Sequence, residues 1–425
     1  MNYDQTLHYL FDQLPMYQRT GAAAYKANLD NTLALDELFH HPHRNFKTIH
    51  VAGTNGKGSV SHWLASILQS AGYKVGLYTS PHLKDYRERI RINGAMIPKQ
   101  AVTSFTERFF HLNKDKIEPS FFELSVMMAF DYFSNEMVDV AVIEVGLGGR
   151  LDSTNIITPE VSVITNISLD HTNLLGKTIS AIAAEKAGII KTNVPVVIGE
   201  TQEESSEVFQ KKSNEMGAPI EFADQNYSLI SMDDQHFILS GNGFEIYRNV
   251  VLGLKGDYQH RNVITVVAAV QQLIRKGFNI TTAAVLDGLE NVISTTRLQG
   301  RWQQIGDQPK IVCDTGHNEA GIQWVVSQLM KEKFQNLHIV FGTVNDKDIQ
   351  SILRLLPQSA IYYFTNANIE RALDAKQLLS SAVNYGLNGE AYSTVQIAFE
   401  TAKKRASKND FIFVGGSTFV VAEII

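Results

Sequence analysis

Hydrophobic and polar positions along the chain predict short strands that alternate with amphipathic helices. Mostly apolar runs predict strands at residues 49–51, 74–78, 138–145, 161–165 and 194–198. Apolar residues at helical spacing predict a short helix within residues 1–14 and a helix that ends near residue 71. They also predict helices at residues 101–113, 121–135, 179–190 and 259–276. This alternation predicts right-handed βαβ units and a mainly parallel sheet.

Two stretches depart from that alternation. Residues 224–254 have alternating side chains and a Gly241-Asn242 turn, which predicts a small antiparallel section. Residues 294–300 are polar and aperiodic and predict a domain boundary. Beyond the boundary, strands are expected at residues 311–313, 337–341, 361–364 and 411–414. We therefore predict an α/β protein with two domains, residues 1–296 and 297–425, the second with an open nucleotide-binding-like sheet.

A glycine-rich loop follows the first predicted strand and precedes an amphipathic helix. Its residues are Gly53, Thr54, Asn55, Gly56, Lys57, Gly58 and Ser59. Glycines allow consecutive backbone N–H groups to point at one anion, and the positive end of the helix adds to the field. Lys57 is placed to reach outer phosphates, and Ser59 offers a hydroxyl to Mg²⁺. The loop predicts nucleoside triphosphate binding, although Gly58 departs from the ordinary Walker spacing and a plain glycine turn is the alternative.

Composition narrows the classes of partner. The chain has 425 residues, 44% of them hydrophobic, and a net charge of −6 with acids and bases interspersed. No basic stripe points to nucleic acid, no apolar run reaches transmembrane length, and the start has no signal-peptide pattern. The single cysteine, Cys313, excludes an internal disulfide and predicts a reducing, cytoplasmic setting.

Polar side chains follow five of the predicted strands. The glycine loop follows the first, and Ser80 and His82 follow the next. Glu144 leads into a glycine-rich turn, and Asn166, Asp170 and His171 follow residues 161–165. In the second domain, Asp314 to Asn318 follow residues 311–313. Ligands bind beyond the carboxyl ends of parallel strands, so these residues predict one crevice, expected between the domains.

Glu144 is the single residue that most strongly indicates a functional site, because it interrupts an apolar strand. A buried carboxylate is costly unless it is paired or bound to a metal ion. Glu144 and Ser80 offer the oxygen ligands that Mg²⁺ prefers. The alternative for Glu144 is a carboxylate solvated at the strand end. His171 is a less usual Mg²⁺ ligand, and its alternative is a hydrogen-bonded loop histidine.

Other residues also have a plain structural alternative. Lys186 lies in a helical pattern among small residues, where a solvated lysine is common. Glu123 opens an apolar helix and could complement its dipole. Arg301 is either a surface arginine or a charge that the second domain brings to a phosphate. Asp314 and His317 could cap the helix that follows.

The motifs together resemble the folylpolyglutamate synthase and dihydrofolate synthase family, within the Mur ligase superfamily. The resemblance spans nearly the whole chain in order. The matching elements are GTNGKGS (53–59), YTSPHL (78–83), FFE (121–123), EVGLGGRLDSTN (144–155), LDHTNLLG (169–176), EKAGIIK (185–191) and DTGHN (314–318).

The resemblance implies roles for the matched positions. It implies a P-loop ATPase-like first domain of the central Mur ligase type and a Rossmann-like second domain. ATP phosphates would lie on loop 53–59, and Asn262, Arg301 and Asp314, with His317 beside them, match ATP contacts. Mg²⁺ would lie among Ser59, Ser80, Glu144, His171 and a Lys186 that is carbamylated in relatives. Phe121, Phe122, Glu123 and Leu151 match parts of a pterin pocket. Lys57, Glu144, His171, Lys186 and Arg301 are the expected catalytic residues.

Two stretches depart from the pattern of the relatives. Asp-Gly-Ala-His-Asn-Pro is common where this chain has Asp314-Thr315-Gly316-His317-Asn318-Glu319. Gly-x-His-Gln is common where this chain has Gly256-Asp257-Tyr258-Gln259. The Asp, His and Asn are retained, so the site is still expected there.

This machinery suits activation of a carboxylate as an acyl phosphate, which an amine then attacks. We predict that ATP drives addition of L-glutamate to the γ-carboxylate of a folate, with dihydropteroate as an alternative or additional acceptor. No side-chain base for the amine is evident. We expect a monomer whose partners are these small molecules, without nucleic acid or membrane.

Two other functions remain open. A cell-wall Mur ligase would use the same chemistry, but residues 1–52 are few for the UDP-binding domain that usually precedes the loop, given a typical minimum of about 50 residues plus a linker. A nucleotide-dependent switch protein would leave Glu144 and His171 unexplained.

Overall fold

The computed structural model describes residues 1–16, 28–345 and 348–425, in two compact units. The first unit comprises Met1–Gly253 and Gln259–Leu298. The second comprises Leu254–Tyr258 and Gln299–Ile425. The division lies two residues beyond the expected boundary. The short segment Leu254–Tyr258 belongs to the second unit because its side chains and backbone bond to residues there.

An eight-stranded sheet forms the first unit, in the order β4-β3-β2-β5-β1-β6-β7-β8. The strands are β1 Lys47–Ala52, β2 Val75–Tyr78, β3 Ile90–Ile92, β4 Ala95–Met96, β5 Val140–Glu144, β6 Val161–Ile164, β7 Val196–Ile198 and β8 Ile220–Phe222. All neighbouring pairs are parallel except β2–β3 and β3–β4. The central strands β1, β5 and β6 are almost wholly buried, as their apolar runs require.

Helices cover this sheet. They are Tyr3–His8, Asp30–Leu38, Lys57–Ser70, Lys99–Leu112, Phe121–Asn135, Thr172–Leu175, Ile179–Lys186, Glu203–Met216, Ala223–Asn226, Gln259–Arg275, Thr282–Glu290 and Val292–Thr296. A π-helical segment, Tyr9–Gln13, follows the first of them, and 3₁₀ turns lie at Pro42–Asn45, Tyr86–Arg89, Ser153–Ile156 and Ala187–Ile189. A large core of aromatic and aliphatic residues lies where Phe121–Asn135 packs on the sheet.

A separate three-stranded antiparallel sheet follows β8. Its strands are β9 Tyr227–Ser231, β10 His236–Gly241 and β11 Phe244–Val251, with β10 in the centre. A turn that contains Asn242 and Gly243, both with positive φ, joins β10 to β11. The predicted antiparallel section is therefore confirmed.

The second unit has a six-stranded sheet in the order β12-β13-β17-β14-β15-β16. The strands are β12 Gln303–Asp307, β13 Lys310–Cys313, β14 Leu337–Phe341, β15 Ile361–Phe364, β16 Asn388–Ala391 and β17 Phe411–Gly415. Only β12 runs antiparallel to its neighbour. The helices are Glu319–Leu329, Ile349–Leu355, Ala375–Val383, Val395–Arg405 and Thr418–Ala422. Apolar clusters lie on both faces, as in a Rossmann-like sheet.

The predicted α/β class and the two predominantly parallel sheets are confirmed. Strands β3, β4, β8, β12 and β16 are not predicted, because they are short, mostly lie toward sheet edges and have little apolar periodicity. The helix expected to reach residue 190 ends at Lys186. A Cβ at Gly188 would lie 2.3 Å from the Cα of Arg150, so backbone approaches closely at this point.

Candidate active site

Two glycines shape the phosphate loop at the end of β1. Gly53 has φ +144°, and a Cβ there would lie 1.8 Å from the hydroxyl oxygen of Thr165. Gly56 has φ +85°, and a Cβ there would lie 2.3 Å from Oδ1 of Asn262. Both positions combine a positive φ with no room for a side chain. The loop therefore requires glycine at these two positions for a steric reason.

The segment after β6 holds the loop in place. The Thr54 amide donates to the carbonyl of Asn166 at 2.9 Å, and the Asn55 amide donates to Asn166 Oδ1 at 3.0 Å. The Thr54 hydroxyl oxygen accepts from the Ser168 amide at 3.0 Å. Asn166 is among the residues expected at the crevice, whereas Ser168 is not. Ser168 and Thr54 lie more than 100 positions apart in the chain, so the local sequence does not indicate their contact.

Two lysines converge on one carbonyl of the loop. Lys57, the first residue of helix Lys57–Ser70, places Nζ 3.0 Å from the carbonyl oxygen of Gly53 and 3.1 Å from that of Thr54. Lys186, the last residue of its helix, places Nζ 2.8 Å from the same Gly53 oxygen. Two amine nitrogens on one oxygen create an electropositive position beside the loop.

This convergence changes the chemistry of Lys186. Its side chain is buried, and burial together with the charge of Lys57 lowers its pKa from 10.5 to about 7, against the opposing effect of Asp170 and Asp152. A substantial share of Lys186 is therefore an uncharged amine at neutral pH. The solvated surface lysine considered as an alternative does not occur here.

Ser59 and Asn262 lie in one hydrogen-bonded set. Ser59, two residues into the helix, is buried, and its hydroxyl oxygen accepts from Nε2 of Gln259 at 3.1 Å. Oε1 of Gln259 accepts from Nδ2 of Asn262 at 2.8 Å. Helix Gln259–Arg275 thus brings Asn262 to the loop, next to Gly56. Sequence reasoning does not assign Gln259 a place in the site.

Glu144 ends strand β5 beside the loop strand. It pairs in register with Val51 of β1, and its side chain is 4% exposed. Its Oε2 accepts a hydrogen bond from the Ser80 amide at 3.1 Å. Two expected metal ligands are therefore neighbours, and the carboxylate is buried rather than solvated.

His171 lies on a short turn after β6. Its backbone is left-handed, with φ +49°, and its amide donates to Oδ1 of Asp170 at 2.8 Å. The imidazole Nε2 lies 3.8 Å from the same carboxylate oxygen. Because Asp170 also acts electrostatically on Lys186, this turn belongs to the same region as the loop.

Asp152 organises the glycine-rich turn after Glu144. Its carboxylate accepts from the amides of Leu147, at 2.8 Å, and Thr154, at 3.0 Å, and from the Thr154 hydroxyl at 2.5 Å. Burial raises the pKa of Asp152. The sequence places this residue within a motif but gives it no role. Its amide donors indicate that it fixes the turn.

The expected pterin residues lie at the start of helix Phe121–Asn135. Phe121 is buried, stacks on Phe11 with ring centroids 5.3 Å apart, and has the guanidinium of Arg89 5.1 Å from its ring centroid. Phe122 is half-buried, and a Cβ at Gly146 would meet its ring at 2.3 Å. The ring of Phe122 therefore lies against the turn after Glu144, whereas the ring of Phe121 packs with Phe11 and Arg89.

Glu123 and Leu151 contribute differently. Glu123 forms a capping box, since its Oε2 accepts from the Ser120 amide at 2.6 Å and its amide donates to the Ser120 hydroxyl at 3.2 Å. The structural alternative, a role at the helix N-terminus, therefore describes its observed contacts. Leu151 is half-buried in the turn that Asp152 organises.

Arg89 is a buried cation that sequence reasoning missed. Its Nε donates to Nδ1 of His82 at 2.8 Å. Burial and the charge of Arg89 lower the pKa of His82 to about 3. Arg89 lies in a charged stretch just before β3, and such a stretch gives no sign in the sequence that its arginine is buried.

The second unit brings Arg301, Asp314 and His317 into one set of contacts. Oδ2 of Asp314 accepts from the Tyr258 hydroxyl at 2.6 Å and from the Trp302 amide at 2.7 Å. Nη1 of Arg301 donates to the Thr315 hydroxyl oxygen, and Nδ1 of His317 lies 3.0 Å from the Thr315 carbonyl. The cap of helix Glu319–Leu329 is Asn318 rather than Asp314 or His317.

Two features are absent from the described residues. No helix there is long and apolar enough to cross a membrane. No group of three or more His, Cys, Asp or Glu residues in those ranges is arranged to hold a metal ion by itself.

Comparison with known proteins places these features in a family. Residues 51–270 match the pattern described as "Mur ligase middle domain", and residues 300–418 match "Mur ligase, glutamate ligase domain". The "Dihydrofolate synthase/folylpolyglutamate synthase" of Bacillus subtilis is 32% identical over 90% of this chain and 91% of its own length. The chain belongs to the folylpolyglutamate synthase and dihydrofolate synthase family of Mur ligases.

Solved structures and a longer relative extend this finding. "E. coli FolC in complex with DHPP and ADP" is 30% identical, with a TM-score of 0.88 over 100% of this chain and 97% of that one. A bifunctional family member "with Mn, AMPPNP and L-Glutamate bound" is 28% identical, with a TM-score of 0.85 over 100% and 97%. The chain spans half the length of the "Probable bifunctional folylpolyglutamate synthase/dihydropteroate synthase" of Haloferax volcanii, at 33% identity over all of this chain.

Proposed function

We propose that the chain is an ATP-dependent ligase that joins the amine of L-glutamate to the γ-carboxylate of a folate. The observation that carries this proposal is the glycine loop at the end of β1, with Lys57 as the first residue of the helix that follows and its Nζ 3.0 Å from the Gly53 carbonyl oxygen. A glycine loop that leads into a helix N-terminus, with a lysine beside it, suits a phosphate group. The family's ligand-bound structures, with nucleotide and L-glutamate, support the same assignment.

The reaction proceeds in two steps. An oxygen of the folate γ-carboxylate attacks the γ-phosphorus of ATP, the bond to the β,γ-bridging oxygen breaks, and ADP leaves. The amine of L-glutamate then attacks the acyl carbon of the acyl phosphate. The tetrahedral intermediate expels phosphate, and the amine loses a proton to form the amide. Lys57 would offset charge on the transferring phosphoryl group, and electrostatic contributions of this kind dominate phosphoryl transfer.

The oxygen donors present fit a hard divalent cation, which we propose to be Mg²⁺. Glu144 supplies a buried carboxylate, with Ser80 on its Oε2, and Ser59 supplies a hydroxyl. Mg²⁺ usually takes one or two protein carboxylates, with water and phosphate oxygens completing the shell. A bound cation would neutralise phosphate charge. His171 is assigned to the same site by resemblance alone.

We propose that Lys186 is carbamylated. Its lowered pKa leaves an uncharged amine, which attacks CO₂ to form a carbamate and releases one proton. The product is a carboxylate-like group beside Lys57 and the loop, where its negative charge would pair with the Lys57 ammonium. Mass spectrometry of the intact chain in bicarbonate, with rapid trapping of carbamates by alkylation, tests this assignment.

By resemblance, Arg301, Asp314, His317 and Asn262 would contact the nucleotide. Phe121, Phe122 and Leu151 would contact the pterin, while Glu123 would support them through its cap. We further propose that the chain works as a cytoplasmic monomer. The buried lone cysteine, Cys313, agrees with a reducing compartment.

Dihydropteroate is a second candidate acceptor, favoured by the relatives that carry both activities in their names. The decisive experiment incubates the purified chain with ATP, L-glutamate and either tetrahydrofolate or dihydropteroate, and identifies products by mass spectrometry. The proposal expects a product longer by one glutamyl unit and phosphate release that needs both acceptor and L-glutamate. Phosphate release without either substrate would instead indicate a nucleotide switch, and extension of a UDP-linked acceptor a cell-wall ligase.

A further inference from the structure

Asp314 is fixed by three donors within the second unit. The Tyr258 hydroxyl and the Trp302 amide donate to Oδ2 at 2.6 and 2.7 Å, and the Gly316 amide donates to Oδ1 at 2.7 Å. A carboxylate offers about four acceptor positions. Three are therefore used by the protein, and the orientation of the group is set before any ligand arrives.

Tyr258 is itself held firmly. Gly256 has φ +99°, and a Cβ there would lie 2.9 Å from the Tyr258 ring and 3.2 Å from Cβ of Trp302. The next residue, Asp257, forms an ion pair with Lys331 and donates its amide to Oε1 of Gln328 at 3.1 Å. The backbone just before Tyr258 is thus held by Gln328 and Lys331, and the Tyr258 ring packs against Gly256.

Thr315 fixes Arg301 in a similar way. The Thr315 hydroxyl accepts from Nη1 of Arg301 and donates to the carbonyl of Gly300 at 3.2 Å. The Thr315 amide donates to the same carbonyl at 3.1 Å. Thr315 therefore holds the guanidinium of Arg301 through its hydroxyl and the backbone of Gly300 through both its hydroxyl and its amide.

We propose that Tyr258 and Thr315 are positioning residues that preorganise Asp314 and Arg301 for the nucleotide. This inference rests on the proposed function, in which Asp314 and Arg301 contact ATP. Fixing these groups in advance lowers the conformational cost that nucleotide binding must otherwise meet.

The Tyr258 hydroxyl keeps its proton over a wide range of pH. Burial and the neighbouring Asp314 raise the pKa of Tyr258 well above 10, so it remains a neutral donor throughout the working range. Nucleotide affinity of this chain is therefore expected to vary little between about pH 6 and pH 8 through this contact.

The test compares Tyr258→Phe, Thr315→Ala and Thr315→Ser with the parent enzyme in steady-state kinetics. Tyr258→Phe is expected to raise the KM for ATP about five- to tenfold with a smaller change in kcat, since it loses one hydrogen bond to a carboxylate. Thr315→Ala is expected to lower kcat more than it changes KM, because Arg301 acts on the transferring group. Thr315→Ser, which keeps the hydroxyl, is expected to restore kcat.

Tyr362→Phe is the matched control, because this buried tyrosine donates to the carbonyl of Pro357 at 2.7 Å, outside the nucleotide residues. If Tyr258→Phe and Thr315→Ala behave like the control while Asp314→Ala and Arg301→Ala impair ATP use, this inference is overturned and the proposed function stands. If Asp314→Ala and Arg301→Ala also leave ATP use unchanged, the nucleotide assignment itself fails. Should Tyr258→Phe fold poorly, Thr315→Ala and its rescue by Thr315→Ser carry the test; a kcat that Thr315→Ser does not restore would overturn the proposal.

Discussion

Replacing Lys186 by Met should make stability less dependent on pH. The Lys186 ammonium is buried beside Lys57, and its pKa falls from 10.5 to about 7. Each decrease of one pKa unit disfavours the charged form by about 1.4 kcal/mol. The fall in pKa from 10.5 to about 7 therefore means that the folded state is destabilised by about 4 to 5 kcal/mol when Lys186 is charged. Methionine has nearly the same shape and no charge, so it removes this penalty.

The sign follows from proton binding. Between pH 7 and pH 10.5 the unfolded chain binds a proton at Lys186 that the folded chain has released. The free energy of unfolding of the parent therefore rises with pH in this window, and the penalty is fully present below about pH 7. The Met variant should be more stable than the parent by several kcal/mol at about pH 6, and this advantage should shrink as pH increases. Near about pH 10 it should be slightly less stable, because the hydrogen bond to Gly53, about 1 kcal/mol, is lost.

The assay is urea unfolding of both proteins from about pH 6 to pH 10, in nucleotide-free buffer depleted of CO₂ so that no carbamate forms. Lys177→Met provides the matched control, since Lys177 is exposed. The control should follow the parent at every pH. A stability difference between parent and Lys186→Met that stays constant across the range would refute the reasoning that burial and Lys57 set this pKa.

Three further predictions concern catalysis. Lys57→Ala should abolish turnover because it removes a transition-state charge, with near-normal kcat as the contrary result and Lys84→Ala as a control. Glu144→Ala should lower activity and weaken its dependence on Mg²⁺ together; an unchanged Mg²⁺ titration would argue against a ligand role. Arg301→Ala should reduce kcat more than folate binding, and a defect confined to folate affinity would place this arginine elsewhere.

Short stretches of the sequence suffice to predict the fold class and several residues of the candidate site. The alternation of short apolar runs with amphipathic helices suffices for the α/β class, because sheet and helix periodicities are local properties. The glycine loop is recognisable because an anion site of this type is built from consecutive backbone N–H groups. Glu144 stands out because a carboxylate within an apolar strand has few stable environments.

Other features depend on segments that are distant in sequence. Lys186 reaches the carbonyl of Gly53 from 133 positions away, and only this contact and its burial distinguish it from a surface lysine. Tyr258 and Asp314 meet across 56 positions. Glu123 differs from these residues because its partner, Ser120, is only three positions away. The local sequence is compatible with this capping contact but does not by itself show that it forms.

The sequence alone was enough to predict the main alternating strands and helices, the glycine loop and the polar residues at the strand ends. Which of these residues are buried, which charges meet and which pKa values shift became clear only in the folded chain. Propensity and periodicity act over a few residues, whereas desolvation and electrostatic coupling depend on whatever the fold places nearby.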